Sequence, residues 1–170
     1  LEIGLNMIKL VAHDIIGMFE KTHNYWYHSS YYNNIKKFST RRNKDKLGAY
    51  FSDDINVAKR MHGSLGSYLY KVTLNVKKTL DLSMYKEDSN TVSDFLDKLP
   101  VSDYFKRNFI YNSGTKLVPY KTLEWADNDE NIIPKLKKRG YDSIKFHEDG
   151  GNTIVVFKSD VIKIIEIITI

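Results

Sequence analysis

The sequence predicts an α+β fold, and three observations carry that reading. "SYLYKVTLNV" alternates cleanly, with Tyr68, Tyr70, Val72, Leu74 and Val76 on one side, as a long half-buried strand does. "NDENIIPKLKKRG" has helical spacing, with acidic residues at its start, basic ones at its end and Gly140 to close it. Three further strand-like runs, "DSIKF", "TIVVF" and "VIKIIEI", finish the chain, so strands come early and late with helices between them.

Taken in order, residues 1–23 hold "MIKLVAHDIIGMFEK", whose apolar spacing predicts an amphipathic N-terminal helix. It has no small-residue cleavage site, and His13 and Asp14 interrupt its apolar stretch, so it is not read as a signal peptide. "NYWYHSS" is a short aromatic strand, and a polar loop follows. "LGAYFS" is a second strand and "DDINVAKRMHG" a helix, with Ser52 or Asp53 to cap it and Gly63 to end it. After the alternating strand, "TLDLS" is its short continuation or partner. Residues 84–140 form a helical insert, in which residues 91–112 are broken near Pro100. Neither a repeat nor a low-complexity linker occurs, so residues 1–170 are expected to form a single domain.

Composition narrows the function classes. The chain has no cysteine, which excludes disulfides and thiolate metal sites and fits a reducing, cytoplasmic setting. It has no apolar run of membrane-spanning length. The net charge is +5, with basic residues gathered at residues 36–46 ("KKFSTRRNKDK") and 135–139 ("KLKKR"). Such clusters favour polyanions, or are simply a solvated loop and a solvated helix face. His13, His23, His28, His62 and His147 have no metal-site spacing, so no metal is expected. P-loop, GxGxxG and GxSxG patterns are also missing.

The order of weaker motifs says more. "WYHSS" leads to "LGAYFSDDINVAKRM", then "YKVTLNVKKTLDLS", "RGYDSIKF", "NTIVVF" and "SDVIKII". This succession resembles the ADP-ribosyltransferase superfamily, on the side of diphtheria toxin and the poly(ADP-ribose) polymerases. It is most similar to the small bacterial and phage versions found in polyvalent proteins. The resemblance runs from about Tyr25 to Ile168. It implies a split antiparallel sheet with flanking helices, and NAD as co-substrate.

The resemblance also implies roles. His28 in "YHSS" matches the histidine that binds a ribose hydroxyl, and Ser29 takes the place of the small residue that grips the carboxamide. Tyr50 in "GAYFS" matches the tyrosine that stacks on nicotinamide, and Ala58 the small residue lining that pocket. The chemistry fits: imidazole can donate to or accept from a sugar hydroxyl, and a tyrosine face suits a cationic ring. Gly48 is expected to let the backbone approach a ligand closely. Each also has a plainer reading as core packing of an aromatic strand.

One departure stands out. Family members carry a glutamate ahead of a strand like "IVVF", where it stabilises the oxocarbenium-like transition state; here Thr153, preceded by Asn152, takes the place. Three explanations follow. Thr153 holds the ribose through its hydroxyl, or Glu148 or Asp149 reaches in from the "HEDGG" turn, or catalysis is lost and a binding module remains.

The resulting expectation is a toxin-like, NAD-dependent mono-ADP-ribosyltransferase acting on a macromolecule in a bacterial or phage conflict. Protein is favoured over nucleic acid as acceptor. Loop residues Tyr31, Tyr32, Phe38, Arg41 and Arg42 keep nucleic acid open, through stacking and charge. The alternatives are a partner-binding module without activity and an NAD glycohydrolase.

Overall fold

A computed structural model describes residues 25–40, 47–60 and 67–170. The expected N-terminal helix, Arg41, Arg42, His62 and Gly63 lie outside the described residues. The strands are β1 (Trp26–Ser30), β2 (Ala49–Ser52), β3 (Tyr68–Leu74), β4 (Thr79–Asp81), β5 (Ser143–Glu148), β6 (Gly151–Val156) and β7 (Ile162–Thr169). The helices are α1 (Ile55–Arg60), α2 (Val92–Asp97), α3 (Asp103–Ser113), α4 (Pro119–Glu130) and α5 (Ile132–Lys138). The strands make one mixed sheet in the order β4-β5-β6-β2-β1-β3-β7, antiparallel except for the parallel β4–β5 pair. The fold is therefore α+β with helices flanking the sheet.

The run "IVVF" is apolar throughout because β6 is buried on both faces. Ile154 and Val156 pack with Phe38, Phe51, Tyr70 and Val72 on one side. Val155 and Phe157 pack on the other with Ile144, Phe146 and residues of the helices such as Phe95, Leu123 and Ile133. Period-two alternation along one strand thus divides two cores.

Gly48 serves this packing. A Cβ there would lie 2.5 Å from the Val156 carbonyl oxygen, so the absence of a side chain lets the backbone approach β6 closely.

Two helix boundaries differ from the sequence reading. The segment "NDENIIPKLKKRG" is not one helix. Its acidic residues close α4, and Asn131 then adopts a left-handed conformation (φ 52°), which asparagine tolerates. Asp127 Oδ1 accepts from the Ile133 N–H at 2.9 Å and starts α5 instead. α1 is capped by Asp54, whose Oδ1 accepts from the Asn56 and Val57 amides at 2.6 and 3.1 Å. Ser52 Oγ accepts from the Asp54 amide, and Asp53 is engaged elsewhere, so neither expected residue is the cap.

Candidate active site

The sheet opens between β1 and β2. β1 keeps its register with β3 from Trp26 to Ser30, and β2 with β6 from Ala49 to Ser52. Between β1 and β2 only Tyr27 and Ser52 pair. Beyond that point the strands separate, and backbone groups that would have bonded across the ladder need other partners. The Tyr50 carbonyl finds one in a side chain: His28 Nδ1 lies 2.8 Å from it. A carbonyl only accepts, so Nδ1 carries the proton and Nε2 is the acceptor of the neutral ring. The imidazole is held edge-on to Phe38 at 5.0 Å and tilted against Phe51 at 5.7 Å.

The opening is a cavity of about 740 Å³, within the usual range for small-molecule sites. His28, Tyr31 and Tyr32 form one wall, Ala49 and Tyr50 another. Arg60 of α1, Tyr120 of α4, Glu148 with Asp149 of the β5–β6 hairpin, and Lys37 and Phe38 of the loop after β1 also line it. The Tyr50 ring meets Tyr120 edge-on at 5.6 Å, and its hydroxyl accepts from the Leu47 amide at 3.2 Å. Burial, with Tyr120 beside it, holds that hydroxyl protonated far above the ordinary phenol range.

Tyr120 was not singled out in the sequence. Its signal was Pro119, which opens α4 at the first helical position and sets Tyr120 in the first turn. Buried Thr122, Leu123, Ala126 and Asp127 then give the helical spacing of the inward face.

The other expected residues separate into two groups. Ser29 and Ala58 are buried within the packing and do not line the cavity; the Ser29 hydroxyl has no hydrogen-bond partner. Thr153 sits in a cross-strand row with Ser52 and Phe146, wholly buried, and its hydroxyl is also without a partner. Asn152 is bound to Asp53 through its side-chain amide at 2.7 Å. Glu148, by contrast, lines the cavity. Burial, then the nearby carboxylates of Asp149 and Glu87, push its carboxyl up to about 7.

The aromatic loop is also sorted. Phe38 is a core residue, packed edge-on against His28, Phe51 and Tyr70, and it also lines the cavity. Tyr31 and Tyr32 are exposed beside the cavity. Among the described residues no cluster of His, Asp and Glu could hold a metal ion, and no helix is long and apolar enough to cross a membrane.

A seven-stranded mixed sheet, flanked by helices and split between β1 and β2, is consistent with the ADP-ribosyltransferase class of fold. Residues 23–167 match the family described as ADP-ribosyltransferase in polyvalent proteins, and the chain belongs to that family. Its enzymes transfer ADP-ribose and in general draw it from NAD. No curated protein matches the chain. One solved structure, an anti-CRISPR protein, aligns with 83% of this chain and 94% of its own at 13% identity and a TM-score of 0.37, too distant a likeness to argue from.

Proposed function

We propose that this chain is an NAD-dependent mono-ADP-ribosyltransferase that modifies a macromolecule, protein in preference to nucleic acid, with Glu148 as its acid. The observation that carries this reading is that Glu148 shares one cavity with His28 and Tyr50, while Thr153 is sealed in the core.

Tyr50 supplies an aromatic face for the cationic nicotinamide ring, with Tyr120 edge-on beside it, and attraction between cation and π face favours the bound substrate over the neutral product. His28, fixed by its bond to the Tyr50 carbonyl, presents Nε2 as acceptor for a ribose hydroxyl. The bond from ribose C1′ to the nicotinamide nitrogen breaks with both electrons leaving on nicotinamide. The ionised Glu148 carboxylate stabilises the positive charge that develops on the ribose, and a nucleophile of the acceptor then bonds to C1′ and loses its proton to solvent. Electrostatic support of this kind is worth roughly 10²- to 10³-fold in rate.

Tyr31 and Tyr32, exposed beside the cavity, keep nucleic acid as the alternative acceptor. The test is incubation of the purified chain with NAD and a lysate, following free nicotinamide and adduct mass. Release with a protein adduct is expected. Release without an adduct would mean hydrolysis, and NAD-induced thermal protection without release would mean a binding module.

A further inference from the structure

We propose that Arg60 and Asp53 are positioning residues that clamp the β5–β6 hairpin to α1 so that Glu148 faces the cavity, an inference that rests on the assignment of the acid to Glu148. The turn itself is minimal. Asp149 (φ 51°) and Gly150 (φ 84°) are its two central residues, the left-handed pair of a type I′ hairpin, with Glu148 and Gly151 paired on either side. Nothing inside so short a turn fixes its tilt relative to the sheet opening.

The tilt is set from both sides of the turn, by Arg60 of α1 and by Asp53 of the connection between β2 and α1. On the β5 side, Arg60 Nη2 donates to the Asp149 carbonyl at 2.8 Å. On the β6 side, Asp53 receives the Asn152 amide at Oδ1 (2.8 Å) and the Asn152 side-chain amide at Oδ2 (2.7 Å). Its own amide donates to the Asn152 carbonyl at 3.0 Å. A carboxylate used at both oxygens is a directional, charge-assisted clamp.

Between these points the hairpin packs backbone-first. A Cβ on Gly151 would come to 2.9 Å from Val57 Cγ2 and 3.1 Å from the Asp54 Cβ. Glu87 holds the opposite side by accepting from the Asp149 amide at 3.2 Å. This explains why Asp53 does not cap α1, and gives Asn152, next to the place of the usual acid, a positioning role.

The clamp matters because charge stabilisation at the ribose depends on where the carboxylate sits, and a misplacement of about 1 Å can cost on the order of 10²-fold. The charged and titratable groups around Glu148 are Asp149 on its own hairpin, Glu87 from the segment after β4 and Arg60 of α1, with His28, Lys37, Tyr50 and Tyr120 lining the same cavity.

The experiment compares wild type with Arg60→Ala and, as a second variant, Asn152→Ala. It measures the Glu148 carboxyl titration by NMR, nicotinamide release at saturating and limiting NAD, and melting temperature. In both variants kcat is expected to fall about ten- to a hundred-fold; KM for NAD should stay unchanged in Asn152→Ala, whose residue does not line the cavity. The Glu148 midpoint should move down toward the ordinary carboxylate range as the hairpin lifts and burial is lost, and Arg60→Lys, which keeps a donor, should restore part of both. A Glu148 midpoint unchanged from wild type in both variants overturns the clamp. If wild type releases no nicotinamide, the proposed activity falls, and the titration still decides the clamp.

Discussion

His28 Nδ1 stands 2.8 Å from the carbonyl oxygen of Tyr50, so a side chain takes over a backbone hydrogen bond where β1 and β2 separate. The same bond that closes the split at its root sets the tautomer offered to a ligand. Nitrogen chemical shifts of the imidazole should show the proton on Nδ1. His28→Ala should raise KM for NAD by about tenfold, the worth of one hydrogen bond of about 1 kcal/mol or slightly more. A ring protonated only on Nε2 would contradict this account of the site.

Tyr50 separates ring from hydroxyl. Tyr50→Phe keeps the aromatic wall and removes the acceptor of the Leu47 amide, so it should cost about 1 kcal/mol of stability while nicotinamide release persists. Tyr50→Ala removes the wall as well, and should abolish release and NAD-induced thermal protection. Thermal unfolding with and without NAD distinguishes the two.

Thr153 offers the sharpest contrast with Glu148. Its hydroxyl is buried without a partner, a situation that costs about 1–3 kcal/mol. Thr153→Val should therefore raise the melting temperature and leave nicotinamide release at the wild-type rate. A large loss of release in a folded Thr153→Val protein would return the acid's role to this position.

Gly48→Ala tests the packing behind the site. The added Cβ meets the Val156 carbonyl oxygen, a backbone atom that cannot rotate away. The variant should lose about 1–3 kcal/mol, the usual cost of overpacking, read as a lower denaturant midpoint.

Glu148 also links stability to pH. Its carboxyl is raised from the ordinary 4.5 to about 7, chiefly by burial. Between those values the folded chain holds a proton that the unfolded chain has lost, so this group's contribution to stability is full below pH 4.5 and is lost as pH rises through 7. Melting temperatures across this window should fall more steeply in wild type than in Glu148→Gln.

Much of the fold was legible because it rests on local signals. The alternation around Tyr70 and Val72, the break at Pro100 and the Asp149–Gly150 turn each follow from a few adjacent residues. The error at Asn131 arose because acidic residues suit a helix start in sequence, and only the left-handed backbone shows that they end the preceding helix. Site residues were harder to read. His28 and Tyr50 stood out through motif order, whereas Tyr120 and Arg60 join the cavity from elements whose placement depends on tertiary packing. Which of Thr153 and Glu148 faces the cavity turns on strand register and hairpin tilt, and the sequence specifies these only through long-range bonds such as that of Asp53 to Asn152.

The most direct measurement of the central claim is the rate of nicotinamide release from NAD by wild type and Glu148→Gln between pH 5 and 9. Glu148 must be ionised to act, so wild-type release should rise through a midpoint near 7. The variant should be slower by roughly 10²- to 10³-fold at neutral pH, with no such rise. Equal rates in the two proteins, or a wild-type profile flat across this range, would contradict Glu148 as the acid of the site.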